Sequence, residues 1–384
     1  MIYLGNISDT QSKAFVDNEF KNFQDKYPHV DFFAVDFTSI DQIYNCIENN
    51  KVVIYYTDIP PYTGLDAFFK LFNNFTNTKF YILTEPDCWQ DLTDWPKNVK
   101  WIQYCWAPVS NWADDIFGEY RNFECLTDKN FDSKKIGISL NRLPRSHRLI
   151  SLSYMLGTGL DEHCVITAPL LKWHLAQNDF NLDIMNVVSW DFSSRHENFK
   201  TVMLQGWERA KQSDGLFPVT KDAYPPYDKL EPNQLVFDNP ANYVNNLMPF
   251  YKNSFVEFAS FSIYDWPLPS ICEKILNCQL GCNFPIFIAG HTTVDWLRRN
   301  GFDVFDDIVN HAYDIESDPI LRLESAVTIN RKLLSNKNYT KTLWEKNSHR
   351  FKNNVDWLIK TGTKTLENGR NTLDNFLCNK LDTR

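Results

Sequence analysis

The stretch Phe255-Val-Glu-Phe-Ala-Ser-Phe-Ser, then Leu268-Pro-Ser-Ile-Cys-Glu273-Lys274-Ile-Leu-Asn-Cys-Gln-Leu-Gly281, then Pro285-Ile-Phe-Ile-Ala-Gly290, reads as strand, helix, glycine turn and second buried strand. This is a βαβ unit. Short runs rich in Phe, Val and Ile flank a segment of helical length, and two parallel strands need such a crossover. The predicted helix opens on Ser270, Glu273 and Lys274. Backbone N–H groups and the helix dipole at such an opening attract phosphate, and Lys274 adds a positive charge. Glu273 can accept hydrogen bonds from a hydroxyl pair. The unit therefore predicts a pocket for a phosphorylated ligand that also carries hydroxyl groups.

Strand-like runs and helical stretches alternate on either side of it. Towards the N-terminus, strands are expected at 2–4, 32–35, 52–56, 80–83 and 100–104, with helices at 13–27, 40–49 and 66–75. Such alternation predicts a parallel, doubly wound sheet. A polar, turn-rich segment at 125–134 reads as a link. A second alternation follows: strand 135–140, helix 146–156, strand 164–167, helix 243–251, strand 254–260, helix 270–280, strand 285–289 and helix 293–300. Residues 173–242 read as loops and short helices, and 318–334 as one long amphipathic helix. The expected fold class is α/β: two Rossmann-like parallel-sheet domains facing a cleft, followed by C-terminal helices. The expected domains are 1–130, 131–330, and a basic helical tail, 331–384, packing back on the first. No Gly-x-Gly-x-x-Gly fingerprint supports a dinucleotide site.

Length and composition agree with two folded domains: 384 residues, 43% hydrophobic and 15% aromatic. No apolar run is long enough for a membrane helix. The opening Met1-Ile-Tyr-Leu-Gly-Asn reads as a strand rather than a signal peptide, so a cytoplasmic location is expected, that of the host if the source is viral. The nine cysteines show no framework spacing, which argues for reduced thiols. Cys272, Cys278 and Cys282 lie close in sequence, but no further ligand completes a zinc quartet nearby. The net charge of −9 is uneven. Residues 331–384 carry 12 Lys/Arg against 5 Asp/Glu, and the first 330 carry 27 against 43. The basic tail reads as a surface for an anionic partner, a clamp on the chain's own acidic part, or a solvated helical face.

A second informative stretch is Ile136-Gly-Ile-Ser-Leu-Asn141-Arg142-Leu-Pro-Arg145-Ser-His147-Arg148. A buried strand ends in Asn-Arg, and further cationic or imidazole groups follow at once. Arginine forks match phosphate oxygens, so the cluster suits a diphosphate gripped as a leaving group. The alternative is an Arg-rich helix face paired with carboxylates. Together with Val256-Glu257-Phe258, the Glu273-Lys274 helix, Pro285-Ile-Phe-Ile and Trp296-Leu-Arg-Arg-Asn-Gly-Phe-Asp-Val-Phe305, this stretch resembles GT-B glycosyltransferases of viral and bacterial origin, distantly similar to fucosyltransferases. The resemblance covers roughly 135–330. It implies that Asn141, Arg142 and Arg145, with His147 and Arg148 beside them, lie on the donor phosphates. It also implies Glu257 by the cleft, Ser270 at the helix mouth, Glu273 on ribose or sugar hydroxyls, and Lys274 near the diphosphate. Many relatives carry a second lysine one turn later; here the helix continues as Ile275-Leu-Asn-Cys278.

No metal is called for, because such enzymes stabilise the leaving diphosphate with basic groups and helix dipoles. Asp306-Asp307 reads as a solvated turn or cap. A UDP-sugar is the favoured donor and no obligatory cofactor is expected. An inverting transfer needs a base for the acceptor hydroxyl. Asp58, Glu85 and Asp87 each follow a first-domain strand and are the candidates, although each is also a plausible helix N-cap. Trp89, Trp106 and Trp112 suit either an acceptor floor or core packing. The frequent viral setting of the family that the chain resembles, with the Asn/Lys/Phe/Ile/Tyr-rich composition, implies a hydroxymethylated base in phage DNA as the favoured acceptor, the basic tail then meeting double-stranded DNA as a partner. The acidic body favours instead a saccharide or lipid-linked acceptor. A non-catalytic nucleotide-sugar-binding protein on the same scaffold is the third reading.

Overall fold

Among the described residues the apolar runs form nine strands, every pairing of which is parallel. The computed structural model describes residues 2–6, 31–35, 52–57, 72–84, 96–103, 125–141, 146–168, 192–212, 248–261, 264, 269 and 274–381. Two compact units share them, one made of 1–118 with 359–384 and one of 119–358. The expected boundary lay twelve residues later, and only the end of the basic segment groups with the first unit.

The first unit holds β1 (Ile2–Asn6), β2 (Asp31–Val35), β3 (Val52–Thr57), β4 (Lys79–Thr84) and β5 (Val99–Gln103) in the order β2-β1-β3-β4-β5. This is a doubly wound order that changes direction between β1 and β3. The turn into β4 is tied by the Asn98 amide, which donates to the carbonyls of Phe72, Phe75 and Thr78. The expected helices at 13–27 and 40–49 lie outside the described residues.

The second unit holds β6 (Gly137–Leu140), β7 (Cys164–Thr167), β8 (Val256–Ser260) and β9 (Phe284–Ile288) in the order β7-β6-β8-β9. Every residue of β8 and β9 is buried. That is why β9 reads as a continuous apolar run and not as an alternating one, whereas β8 carries Glu257 and Ser260 within it. The crossover from β6 to β7 is α1 (Ser146–Gly157), buried along nearly its whole length.

The cover over α1 corrects the sequence reading. Residues 197–212, expected as irregular, form the 16-residue helix α2 (Glu197–Gln212), which buries Phe199, Met203, Trp207 and Ala210. Two glycines set the α1–α2 approach. A Cβ on Gly206 would lie 1.7 Å from the Ser153 carbonyl oxygen, and one on Gly157 would lie 2.0 Å from that of Val202. No other residue type fits at this crossing. Tyr154 stacks on Phe199 beside it, with ring centroids 4.3 Å apart.

Short helices α3 (Met248–Lys252), α4 (Lys274–Leu280) and α5 (Thr293–Arg299) follow. The expected long helix at 318–334 is two: α6 (Pro319–Ile329), capped by Asp318, and α7 (Arg331–Ser335). Asn330 makes the break. Its amide donates to the Asn310 carbonyl and accepts from the Asn310 N–H, holding the turn to the loop before α6. The chain continues as α8 (Lys337–Asn347) and α9 (His349–Leu381), whose residues through Leu358 belong to the second unit. No helix among the described residues is long and apolar enough to cross a membrane.

The segment at 125–135, expected as a link, is pinned into the second unit. Lys129 is only 6% exposed, and its ammonium donates to the carbonyls of Tyr251 (2.6 Å), Ser254 (2.7 Å) and Gly281 and to Asn283 Oδ1 (2.7 Å). Burial pulls its pKa down to about 7, while the four oxygens reward the protonated form. The acidic loop after α5 is likewise engaged: Arg298 holds Asp306, and Arg350 holds Asp303 and Asp307.

Candidate functional site

In open parallel sheets a ligand crevice forms where neighbouring connections leave in opposite directions, outside the carboxyl ends of the strands. In the second unit that point lies between β6 and β8, since β7 flanks β6 on one side and β8 and β9 extend the other. The register pairs Gly137 with Val256 and Ile138 with Glu257. Continued to the strand ends, it sets Asn141 level with Ser260. Both residues are buried, at 3% and 1% exposure.

The bonds around Asn141 are directional. Its N–H donates to the Thr167 carbonyl at 3.1 Å, and its side-chain Nδ2 donates to the Ser139 carbonyl and hydroxyl at 3.3 and 3.0 Å. A carbonyl only accepts, so the amide nitrogen must face Ser139 and the oxygen must face away. That oxygen, Oδ1, has no partner, and neither has Ser260 Oγ. Two buried, unsatisfied oxygens therefore stand at the switch point of the sheet. Such groups are costly in a folded chain unless water or a ligand completes them.

The first turn of α1 is bonded to the residue that follows Ser260. The His147 Nε2–H donates to the Phe261 carbonyl at 2.8 Å, fixing the proton on that nitrogen in the neutral ring. This bond ties the helix that leaves β6 to the residue just past β8. Arg148, in the same turn, is buried. Arg142 and Arg145 lie outside the described residues, as do Ser270 and Glu273. Lys274 is the first residue of α4 and is half-buried. In the first unit, β3 and β4 end at Thr57 and Thr84. Asp58, Glu85 and Asp87 come next in the chain and lie outside the described residues, as do Trp89, Trp106 and Trp112.

Glu257 is a correction. It is the second residue of β8, three residues and about 10 Å short of the carboxyl end. At 2% exposure it accepts a hydrogen bond from Tyr251 Oη at 3.0 Å and lies beside the Cys278 thiol, whose pKa is raised by burial and by that carboxylate. Glu257 therefore belongs to the interior network around Lys129 and not to the strand-end crevice.

Other residues that shape this edge escaped the sequence reading. Tyr264, four residues past β8, stacks near His147 with ring centroids 5.9 Å apart, and its hydroxyl donates to the Pro319 carbonyl. The Arg322 guanidinium lies 4.8 Å from the Tyr264 ring centroid and donates to the carbonyls of Glu316 and Tyr264. Asp318, at the start of α6, accepts from His196 Nε2 at 3.0 Å and from Arg195. Apart from Glu316, six residues from Arg322, these partners lie 55 to 123 residues apart in the chain, so no local pattern announces them.

Not every helix opening at this edge is available to an anion. The N-terminus of α5 is occupied by the Asp314 carboxylate, which accepts from the N–H groups of Val294 (3.1 Å) and Asp295 (2.9 Å). Burial raises the pKa of Asp314 while these two bonds oppose the rise. An open hollow in the first unit, lined by Thr76, Lys79, Pro96 and Val99, lies at the amino ends of β4 and β5 and so at the wrong edge for a ligand crevice.

No family model and no curated protein matches the chain. Among solved structures, a glycosyltransferase from Rickettsia africae ESF-5 is similar over 96% of this chain and 97% of that one, at 11% identity and a TM-score of 0.35. A likeness of that size transfers neither function nor site.

Proposed function

We propose that the chain is a glycosyltransferase that holds a nucleoside-diphosphate-sugar, a UDP-sugar by preference, at the carboxyl edge of its second sheet and passes the sugar to an acceptor hydroxyl. One observation carries this reading: the run from Asn141 to Arg148 leaves β6 where the sheet order of the second unit changes direction. That is where α/β sheets bind nucleotides, and the run supplies the cations that a diphosphate needs.

On this reading Arg142, Arg145 and Lys274 face the diphosphate, and Glu273 and the strand-end oxygens face hydroxyls. Transfer breaks the bond between the anomeric carbon and the diphosphate oxygen. The departing negative charge falls on the arginines, and the acceptor oxygen forms the new bond as its proton passes to a carboxylate. Asp58, Glu85 and Asp87 are the candidates for that carboxylate. A hydroxymethylated base in DNA is the preferred acceptor, from the composition and the excess of lysine and arginine after residue 331. A saccharide or lipid-linked hydroxyl is the alternative.

A thermal-shift screen of nucleoside diphosphates and their sugars tests the donor half. A ligand held at 100 times its Kd stabilises the fold by about 2.7 kcal/mol, so one nucleotide series should raise the melting temperature by several degrees. No response to any of them would refute the reading. Transfer from the stabilising donor, measured with and without Arg142→Ala, separates an enzyme from a binding protein. A gel shift at low salt tests the DNA acceptor.

A further inference from the structure

We infer that Asn141 and Ser260 form a hydroxyl-reading subsite at the strand ends, so that the sheet itself recognises a neutral ribose or hexose hydroxyl of the donor. The inference rests on the donor reading above and assigns a ligand group to two side chains.

The argument is one of donors and acceptors. Asn141 Nδ2 is committed to Ser139, so the atom that Asn141 presents is an acceptor. A phosphate oxygen is also an acceptor, and the two repel. Asn141 therefore does not lie on the donor phosphates, as its neighbourhood in sequence suggests; it needs a ligand O–H or N–H. Ser260 Oγ, level with it on the adjacent strand, both donates and accepts, and it too lacks a partner. A hydroxyl seated between them would donate to Asn141 Oδ1 and accept from, or donate to, Ser260 Oγ. Both oxygens are buried, so the exchange with water that usually shrinks the value of a hydrogen bond is reduced. Thr167, at the end of β7, holds the Asn141 backbone N–H through its carbonyl and hydroxyl.

The test is calorimetric titration of the wild type, Ser260→Ala and Asn141→Ala with UDP-glucose, UDP and inorganic pyrophosphate. Ser260→Ala removes a hydroxyl that bonds to nothing in the folded chain, so its unliganded melting temperature should be no lower than that of the wild type. This makes it the decisive variant, since Asn141→Ala also breaks the bonds to Ser139. Ser260→Ala should weaken UDP-glucose by about fivefold, the value of one neutral hydrogen bond, and leave pyrophosphate unchanged. A parallel loss with UDP assigns the ribose; a loss with UDP-glucose alone assigns the hexose. If wild type and Ser260→Ala bind both nucleotides equally, a structural water occupies the pair and the inference is overturned. An equal loss for pyrophosphate overturns it as well. If the wild type binds none of the three probes, the donor reading itself falls and takes the subsite with it.

Discussion

Lowering the pH from 7 to 4 should destabilise the second unit by about 3 kcal/mol through His311 alone. This residue is 6% exposed and sits in a directional relay. The Phe287 N–H, on β9, donates to the Tyr313 hydroxyl at 3.0 Å. The Tyr313 O–H lies 3.2 Å from His311 Nδ1, and His311 Nε2 lies 2.8 Å from the Val304 carbonyl. Since that carbonyl only accepts, Nε2 carries the proton and Nδ1 takes the tyrosine hydrogen. Burial keeps the Tyr313 phenol protonated by raising its pKa well above the usual value. A second proton on His311 would turn Nδ1 into a donor facing a hydroxyl that must itself donate there. Burial of the charged ring adds to this cost, and the His311 pKa falls from 6.5 to about 4.

The sign follows from linkage. Between pH 6.5 and 4 the unfolded chain binds the proton and the folded chain does not, so stability is full above 6.5 and is lost as the pH falls. The loss comes to about 2 kcal/mol at pH 5 and about 3 kcal/mol at pH 4, and it levels off below that. Urea unfolding followed by tryptophan fluorescence at pH 7, 6, 5 and 4 measures it. His311→Gln, which keeps a donor for Val304 and an acceptor for Tyr313 but does not titrate, is the reference. The wild-type profile should fall below that of the variant by these amounts. Two profiles of equal slope would refute the relay.

The other predictions concern packing and thiols. Gly206→Ala forces a methyl group onto the Ser153 carbonyl across the α1–α2 crossing and should cost about 3 kcal/mol or more, read as a fall in melting temperature; an unchanged value would mean that the helices do not approach so closely. Lys129→Met removes the donor from three carbonyls and the Asn283 amide and should cost about 3 kcal/mol. The same change should make the chain cleavable by protease near 125–131, and full resistance would count against the cage. Of the described cysteines, Cys125 should react first with N-ethylmaleimide. It is partly exposed, and a hydrogen bond from the Cys282 thiol lowers its pKa, whereas burial pushes Cys164 up to about 12. Peptide mass mapping after brief labelling decides this, and early label on Cys164 would contradict it.

How far the sequence carried depended on the range over which each feature is determined. All nine strands were legible as short runs rich in Phe, Val, Ile and Tyr, and in the second sheet the physical reason is burial: a strand covered on both faces is mostly apolar, which is a local property of runs such as Phe284–Ile288. Helix α2 carried its signal in Phe199, Met203, Trp207 and Ala210, spaced for one helical face. The surrounding aromatic and proline-rich segments obscured it, and Gly206 within it is a contact and not a break. The role of Lys129 was not legible at all, because its partners lie 122 to 154 residues away. Glu257 failed for the opposite reason: the motif around it was visible, but its position along the strand was not. A carboxylate at the second residue of β8 and one at the last residue look alike in sequence, although they lie about 10 Å apart.

The same distinction governs the candidate site. A cluster of arginines at a strand end advertises anion binding, because charge type is written in the residue name. Whether an asparagine among them meets a phosphate or a hydroxyl is decided by which of its two amide atoms is already occupied. Here the Ser139 carbonyl, two residues back on the same face of β6, takes the nitrogen and leaves the oxygen. If the donor binds as proposed, the sheet edge divides it, with charge read by the cationic residues that follow β6 and neutral groups read by Asn141 and Ser260 at the strand ends. Charge recognition at the rim tolerates displacement, since Coulomb attraction falls slowly with distance. A neutral hydrogen bond does not, and its strength drops within a few tenths of an ångström. On the proposed reading, selectivity for the sugar or its nucleoside belongs to the buried pair Asn141 and Ser260, and Coulomb attraction to cationic side chains suffices for the diphosphate.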